Sequence, residues 1–453
     1  MSTYLTFPLP YAHDSQGLMS CLATLEYPIF LDRGSERGAD RRFDILAAEP
    51  VAWIQITAGA GSGSDPDIPV SEESIFSSIR QLRIKYIAPH EIIDQTVAQL
   101  PFQSGLLGYL GYPALQGRAG FLIKDAFVGA YRWAVIVDHD AQRTTLVVDP
   151  GYPPESLPRL LQLLAVSAEP EVPVAGEFRL LGGFEQQWSR SDYDKAFRAI
   201  KTYISAGDCY QVNLTQQFVA ACSGHPFAAY LRLRAAMPAP FSAFIGWSEG
   251  ALLSVSPERF LRLTGRDVLT QPIKGTRPRA VDPQQDQLLA RQLVASVKDQ
   301  AENLMIVDLL RNDLGQVCET GSIKADQLFT LQSYTNVHHL VSSIKARLDC
   351  NRDALDLLQA CFPGGSITGA PKLRAMAIIQ ELEAEPRRAY CGTVFYLSAN
   401  GAMDSSINIR SLLWEANYLH CWAGGGIVDD SEADAEYAEC FDKIARIINS
   451  FSD

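Results

Sequence analysis

Apolar positions along the 453-residue chain change their spacing from segment to segment. YRWAVIVDHD (131–140) alternates and is rich in β-branched residues, and AQRTTLVVDP (141–150) follows in the same style. Together they predict a hairpin. Strand-like patterns return at CYQVNLTQQFVA (209–220), FSAFIGW (241–247) and ALLSVS (251–256). Between them the spacing turns helical. Tyr193, Phe197, Ile200 and Ile204 form one apolar stripe, Ser191 and Asp194 approximate a capping box, and Gly207 suits the stop. A long helical region is predicted from 284 to 312. Another runs from Ser431 to Ser450, with Tyr437, Phe441, Ile444 and Ile448 as its core stripe. Strand meanders between long helices predict an α+β protein with substantial antiparallel sheet.

The apolar helical stretch SLPRLLQLLAVSA (156–168) is followed by EPEVPVAGEF (169–178), whose two prolines and one glycine read as a connector. The chain is therefore divided near 175, into regions 1–175 and 185–453. In FQSGLLGYLGY (102–112), Gly105, Gly108 and Gly111 recur every third residue. That is not a GxGxxG fingerprint, and close sheet packing is the expected use.

The formal net charge of −13 argues against nucleic acid as the main ligand, because phosphate binding needs a basic field. Surplus carboxylates suit a divalent metal, and a small anionic substrate could still be held by a few local cations. Nine cysteines, scattered and without CxxC, point to reduced thiols in a cytoplasmic protein rather than a disulfide framework. The N-terminus lacks the form of a secretory signal, and no apolar run approaches the roughly 20 residues that span a bilayer.

Several segments could carry chemistry. In QPIKGTRPR (271–279), Lys274 is either a solvated turn lysine or an amine whose pKa falls on burial until it can attack carbon. Glu258 in SPERF (256–260) is either a solvated strand-end carboxylate or a general acid–base group. Asp299 and Glu302 share one helix face, as do Glu436 and Glu439, with Lys443 one turn beyond. Each face alone reads as solvated; facing each other, the two pairs could hold Mg²⁺. FPGGSITGAPKLRAM (362–376) is not a P-loop, but it is a candidate anion cradle ahead of a helix. AGGGIV (423–428) reads as a second glycine-rich anion loop, offering backbone amides in the same way. Arg410, read as part of an alternating strand, would suit a bidentate carboxylate.

Taken together these segments resemble the chorismate-utilising enzymes, the family that includes anthranilate and isochorismate synthases. The residues that carry the resemblance are GDCYQVNL (207–214), SPERF, PIKGT (272–276), AENLMIVDLLRND (301–313), VHHLVS (337–342), FPGGSITGAPK, AGGGIV and EYAECFDK (436–443), in family order. FDILAAEP (43–50) and PFQSGLLGYLGY (101–112) extend it into the N-terminal region. The resemblance implies two antiparallel-rich sheets packed together and flanked by helices, with both regions interlocked in one unit. Anthranilate and isochorismate synthases typically carry Ala where Lys274 stands. Lysine there resembles the branch that aminates chorismate at C4 through a covalent lysine intermediate, a transaminase-class reaction leading toward para-aminobenzoate and folate.

On that resemblance Lys274 is the nucleophile and Glu258 the general acid. Glu302 and Glu439 hold Mg²⁺, with Asp299 and Glu436 as outer carboxylates. Thr276, His339, Ser366, Tyr390, Arg410, Gly424, Gly425, Gly426 and Lys443 surround the substrate. No GxCxxG-type glutaminase nucleophile is found in the chain. Ammonia is therefore expected from a separate glutamine amidotransferase subunit, and a separate lyase is expected to act on the product. Feedback-inhibited relatives bind tryptophan near a Leu-Leu-Glu-Ser element. Here the equivalent is FLDRG (30–34), with Arg33 at the serine position, while Pro240, Phe241 and Ser242 resemble the other wall. That departure counts against tryptophan regulation. Two alternatives stay open: another chorismate enzyme such as an anthranilate synthase with an atypical lysine, or a non-catalytic chorismate- or partner-binding paralogue.

Overall fold

The computed structural model describes residues 3–34, 42–87, 95–117, 120–166 and 177–451. Among these, two large antiparallel sheets dominate, one of 13 strands and one of 11. The predicted hairpin forms as Trp133–Asp138 and Arg143–Val148, with Asp138 paired to Arg143. Gly108 lies where a side chain would meet the Phe127 carbonyl, so the glycine repeat does serve close sheet packing.

Alternation within the strands sorts the apolar residues into three cores. One is sandwiched between the sheets, where Ile29, Ala243 and Leu252 of the first meet Leu107, Phe127 and Val394 of the second. Helices Arg190–Ser205 and Ala433–Asn449 cover the outer face of the first sheet, burying Tyr193, Ile200, Ile444 and Ile447 against Leu214 and Phe218. Helix Val297–Leu314 covers the outer face of the second sheet through Ile306 and Leu310. The result is a helix–sheet–sheet–helix stack. Both sheets draw strands from either side of residue 175.

The chain crosses between the sheets at two points that matter for function. Strand Gly250–Ser256 belongs to the first sheet and Arg259–Thr264 to the second, so Pro257 and Glu258 form one crossing. Strand Met403–Ile407 belongs to the second and Ser411–Glu415 to the first, so Asn408, Ile409 and Arg410 form the other. The crossings are tied together. Ile407 N–H donates to the Glu258 carbonyl at 3.1 Å, Val255 N–H to the Arg410 carbonyl at 3.1 Å, and Ser256 Oγ to the Ile407 carbonyl at 2.6 Å.

Four local expectations are corrected. Ser189, not Ser191, caps the helix that follows, accepting from Asp192 N–H. The long region from 284 to 312 is two helices, Pro283–Ala295 and Val297–Leu314. Ser296 ends the first with an extended backbone and caps the second by accepting from Asp299 N–H. Arg410 is not inside a strand but in the crossing, with a left-handed φ of 52°. AGGGIV is not a loop: Gly424, Gly425 and Gly426 lie within strand Tyr418–Ile427, paired to Thr215, Leu214 and Asn213. The connector EPEVPVAGEF falls mostly outside the described residues.

Candidate active site

Glu258 owes its position to the first crossing. Proline before it favours extended backbone, and the change of sheet turns its side chain inward. Only 5% of the residue is exposed. Burial pushes its carboxyl up to about 7, against the opposing pull of a Ser366 hydrogen bond and the Lys274 charge. A group with that pKa holds a proton near neutrality and can release it, as a general acid must.

Lys274 is aimed by a bulge. In strand Ile273–Pro278 the register to strand Val337–Arg347 slips by one residue between Ile273 and Thr276, leaving Lys274 and Gly275 out of the ladder. Gly275 has φ +81°, and a side chain there would strike Asp299 and Leu293, so only glycine fits the turn. The lysine amine lies 3.4 Å from the Ser366 carbonyl oxygen. Burial, aided by the Lys443 charge, lowers its pKa below that of an ordinary lysine, while Glu302, Glu258 and Glu439 oppose the shift. Burial outweighs the neighbouring carboxylates, which raises the fraction of neutral, nucleophilic amine. By accessible surface Lys274 is half-buried.

The carboxylates come from the two opposite outer layers. Burial raises the pKa of Glu302, with Asp299 and Glu436 adding repulsion. Burial likewise raises Glu436, whose Oε1 accepts from Ser431 Oγ at 2.7 Å. Burial also works against Glu439, but Lys443, 2.7 Å away, outweighs it and holds the carboxyl below its usual value. Asp299 pairs with Arg277 at 2.8 Å. Lys298 reaches across to Asp430 at 3.4 Å, linking the first carboxylate helix to the loop ahead of the second.

Among the described residues no cluster of three or more His, Cys, Asp or Glu side chains encloses a metal site. Mg²⁺ does not need one, because it takes one or two protein carboxylates and completes its shell with water and substrate oxygens. The backbone fits such an arrangement. A side chain at Gly425 would come 2.9 Å from Glu436 Oε2 and 3.9 Å from Glu439 Oε1, so glycine keeps this space open. Strand Ser411–Glu415 pairs with the glycine strand only from Leu412 onward, so Trp422–Ile427 is laddered on one edge alone. Lys443 Nζ donates to the Gly424 carbonyl at 2.7 Å.

Thr276 Oγ1 and His339 Nδ1 lie 2.9 Å apart across paired strands. Tyr390 is buried and stacks on Trp422. His339, Arg410 and Arg446 line a cavity of about 30 Å³. Burial, then the neighbouring Arg446 charge, lowers the Arg410 pKa. A larger cavity, of about 360 Å³, is lined by Pro240, Phe241 and Ser242 together with Leu31 and Asp32. Arg33 is buried beside it, its backbone N–H donating to Asp44 Oδ1, and does not line it.

Other residues that hold the site were not singled out in the sequence. Arg387 is buried and pairs with Glu383, and its guanidinium also donates to the Ile367 and Asn213 carbonyls at 2.8 and 2.6 Å. It thereby anchors the turn that carries Ser366. Lys372 bonds Asp313 at 2.5 Å and the Cys361 carbonyl at 2.9 Å, fastening that loop to the first carboxylate helix. The i,i+4 spacing of Glu383 and Arg387 was the available signal for the first. Nothing local marked the second.

A family profile described as chorismate binding enzyme matches residues 35–449. Aminodeoxychorismate synthase component 1 of Klebsiella aerogenes is 45% identical, covering 97% of each chain. Anthranilate synthase component 1 of Thermus thermophilus is 33% identical over 93% of this chain and 91% of its own. Among solved structures, anthranilate synthase component I from Streptococcus pneumoniae superposes with a TM-score of 0.76 at 28% identity, covering 91% of this chain and 93% of its own.

Proposed function

The chain belongs to the chorismate-binding enzyme family, and on that footing we propose that it is the large component of an aminodeoxychorismate synthase. It converts chorismate and ammonia to 4-amino-4-deoxychorismate and water, on the way to para-aminobenzoate and folate. The observation that carries this reading is the pairing of a lysine of lowered pKa with a carboxyl whose pKa is raised to about 7, both in contact with Ser366.

The neutral Lys274 amine attacks C2 of the ring. Both conjugated ring double bonds shift, from C1–C2 to C1–C6 and from C5–C6 to C4–C5, as the C4–oxygen bond breaks, and Glu258 gives its proton so that the hydroxyl leaves as water. Ammonia then adds at C4, both double bonds shift back, and Lys274 leaves C2 with its electron pair. Glu258 regains a proton from the incoming ammonia. Glu302 and Glu439 are the residues that would hold Mg²⁺, which when bound fixes and polarises the ring carboxylate. Glu436 and Asp299 orient those carboxylates from behind. Arg410 and Tyr390 take the side-chain carboxylate, the guanidinium as a bidentate donor.

Relatives named component 1 support a partner that completes the enzyme. We assign that role to a glutamine amidotransferase subunit supplying ammonia, with a separate lyase acting on the product, all in the cytoplasm. Among the described residues no helix is long and apolar enough to cross a membrane, and the charge disfavours nucleic acid.

Product identification tests the reading. The purified chain is incubated with chorismate, Mg²⁺ and ammonium at mildly alkaline pH, and the products are separated with and without an added lyase. Aminodeoxychorismate that becomes para-aminobenzoate only with the lyase is expected. Anthranilate or isochorismate as the main product would overturn it.

A further inference from the structure

The helix Ala433–Asn449 carries a graded face. Glu436 and Glu439 lie toward its start, Lys443 follows one turn later, and Arg446 follows that by three residues. The spacing puts Glu439, Lys443 and Arg446 along one side. From Glu439 to Arg446 the rise is about 10 Å at about 1.5 Å per residue. The negative end of this face is the candidate metal end, and its cationic end is near Arg410.

Arg446 is exposed, and its guanidinium makes no ion pair or hydrogen bond among the described residues. A solvated arginine at the end of a helix would ordinarily need no further account. This one shares a small cavity with Arg410 and His339, beside Tyr334 and Pro257. Two guanidinium groups facing one cavity repel each other, and neither has a carboxylate partner among the described residues. The cavity has roughly the room of one or two waters, enough for a carboxylate head but not for a ring. Like charges gathered at a small, largely apolar space form an anion site.

We propose that Arg446 is a second cationic contact for the side-chain carboxylate of the substrate, working with Arg410, so that this helix grips a dicarboxylate at both ends. The inference rests on the functional reading above. It gives the helix a selecting role: ring acids with one carboxylate engage only the Glu439 end, and those with two engage Arg446 as well.

The experiment compares Arg446→Gln and Arg446→Lys with the wild-type chain. Chorismate and benzoate, which has a ring carboxylate only, are titrated in the presence of Mg²⁺ without ammonia, and steady-state kinetics are run separately. Arg446→Gln is expected to weaken chorismate about tenfold in Kd and KM, with kcat within about threefold, as loss of ground-state binding requires. Benzoate affinity is expected to stay within about twofold of wild type, since it does not reach Arg446. Arg446→Lys keeps the charge without the fork and is expected to fall between the two. Chorismate binding unchanged in Arg446→Gln would overturn the proposal. So would equal weakening of chorismate and benzoate, which marks a general disturbance. The binding arm is independent of the product formed, so a wrong reaction assignment and a wrong role for Arg446 give different results.

Discussion

Lys274 Nζ lies 3.4 Å from the carbonyl oxygen of Ser366, and the side chain of the same serine reaches the Glu258 carboxyl. One short turn thus sets the distance between the proposed nucleophile and the proposed acid. The turn is itself fastened on two sides, by Arg387 at Ile367 and by Lys372 at Cys361. The amine and the acid are therefore held by the fold before any substrate arrives, which is the condition for efficient intramolecular-like chemistry.

The pH dependence should show the acid directly. Glu258 must carry its proton to release the hydroxyl, and its pKa is about 7. Activity then falls as pH rises through that value, because the carboxylate form accumulates. An alkaline limb in kcat/KM near this pH is expected. In Glu258→Gln the rate should drop by at least about 100-fold, the scale of general acid catalysis, and the residual activity should lose that limb. A wild-type profile flat from pH 6 to 9 would count against the assignment.

Metal dependence should separate the carboxylates. Glu302→Gln is expected to raise the Mg²⁺ concentration for half-maximal activity at least tenfold, in line with losing a ligand or its close support. Asp299→Asn should act more weakly on metal, because Asp299 is already paired with Arg277. Metal titrations of both variants check this, and an unchanged titration for Glu302→Gln would remove that residue from the metal.

Stability should depend on the pair that locks the loop to the first carboxylate helix. Burial raises the Asp313 pKa to about 6 even with Lys372 beside it. Lys372→Ala leaves that carboxyl buried without its cation and is expected to cost about 3 kcal/mol. The double variant with Asp313→Asn should recover part of the loss, because the uncompensated charge is gone. Chemical denaturation of the two variants measures both effects.

How far these features could be read in advance follows from their range along the chain. The hairpin at 133–148 rests on local β-branched alternation and was legible. The break at Ser296 was not, since it carries neither glycine nor proline and is set by a single capping hydroxyl. Lys274, Glu258 and the helix carboxylates were singled out through their company in family order. Their chemistry was not legible, because the raised pKa of Glu258 comes from burial at a sheet crossing built by distant strands. Lys372 and Asp313 stand 59 residues apart, so neither predicts the other. The strand Tyr418–Ile427 was mistaken for a loop because three glycines carry no strand propensity, and its partner strand supplies the order instead.

The central claim is that Lys274 bonds covalently to the substrate, and intact-protein mass spectrometry after brief exposure to chorismate and Mg²⁺ without ammonia tests it most directly. The account predicts a mass increase equal to chorismate less one water, mapped by peptide analysis to Lys274, absent in Lys274→Ala and discharged when ammonium is added. Unmodified Lys274 in a wild-type sample that is turning over chorismate would contradict it.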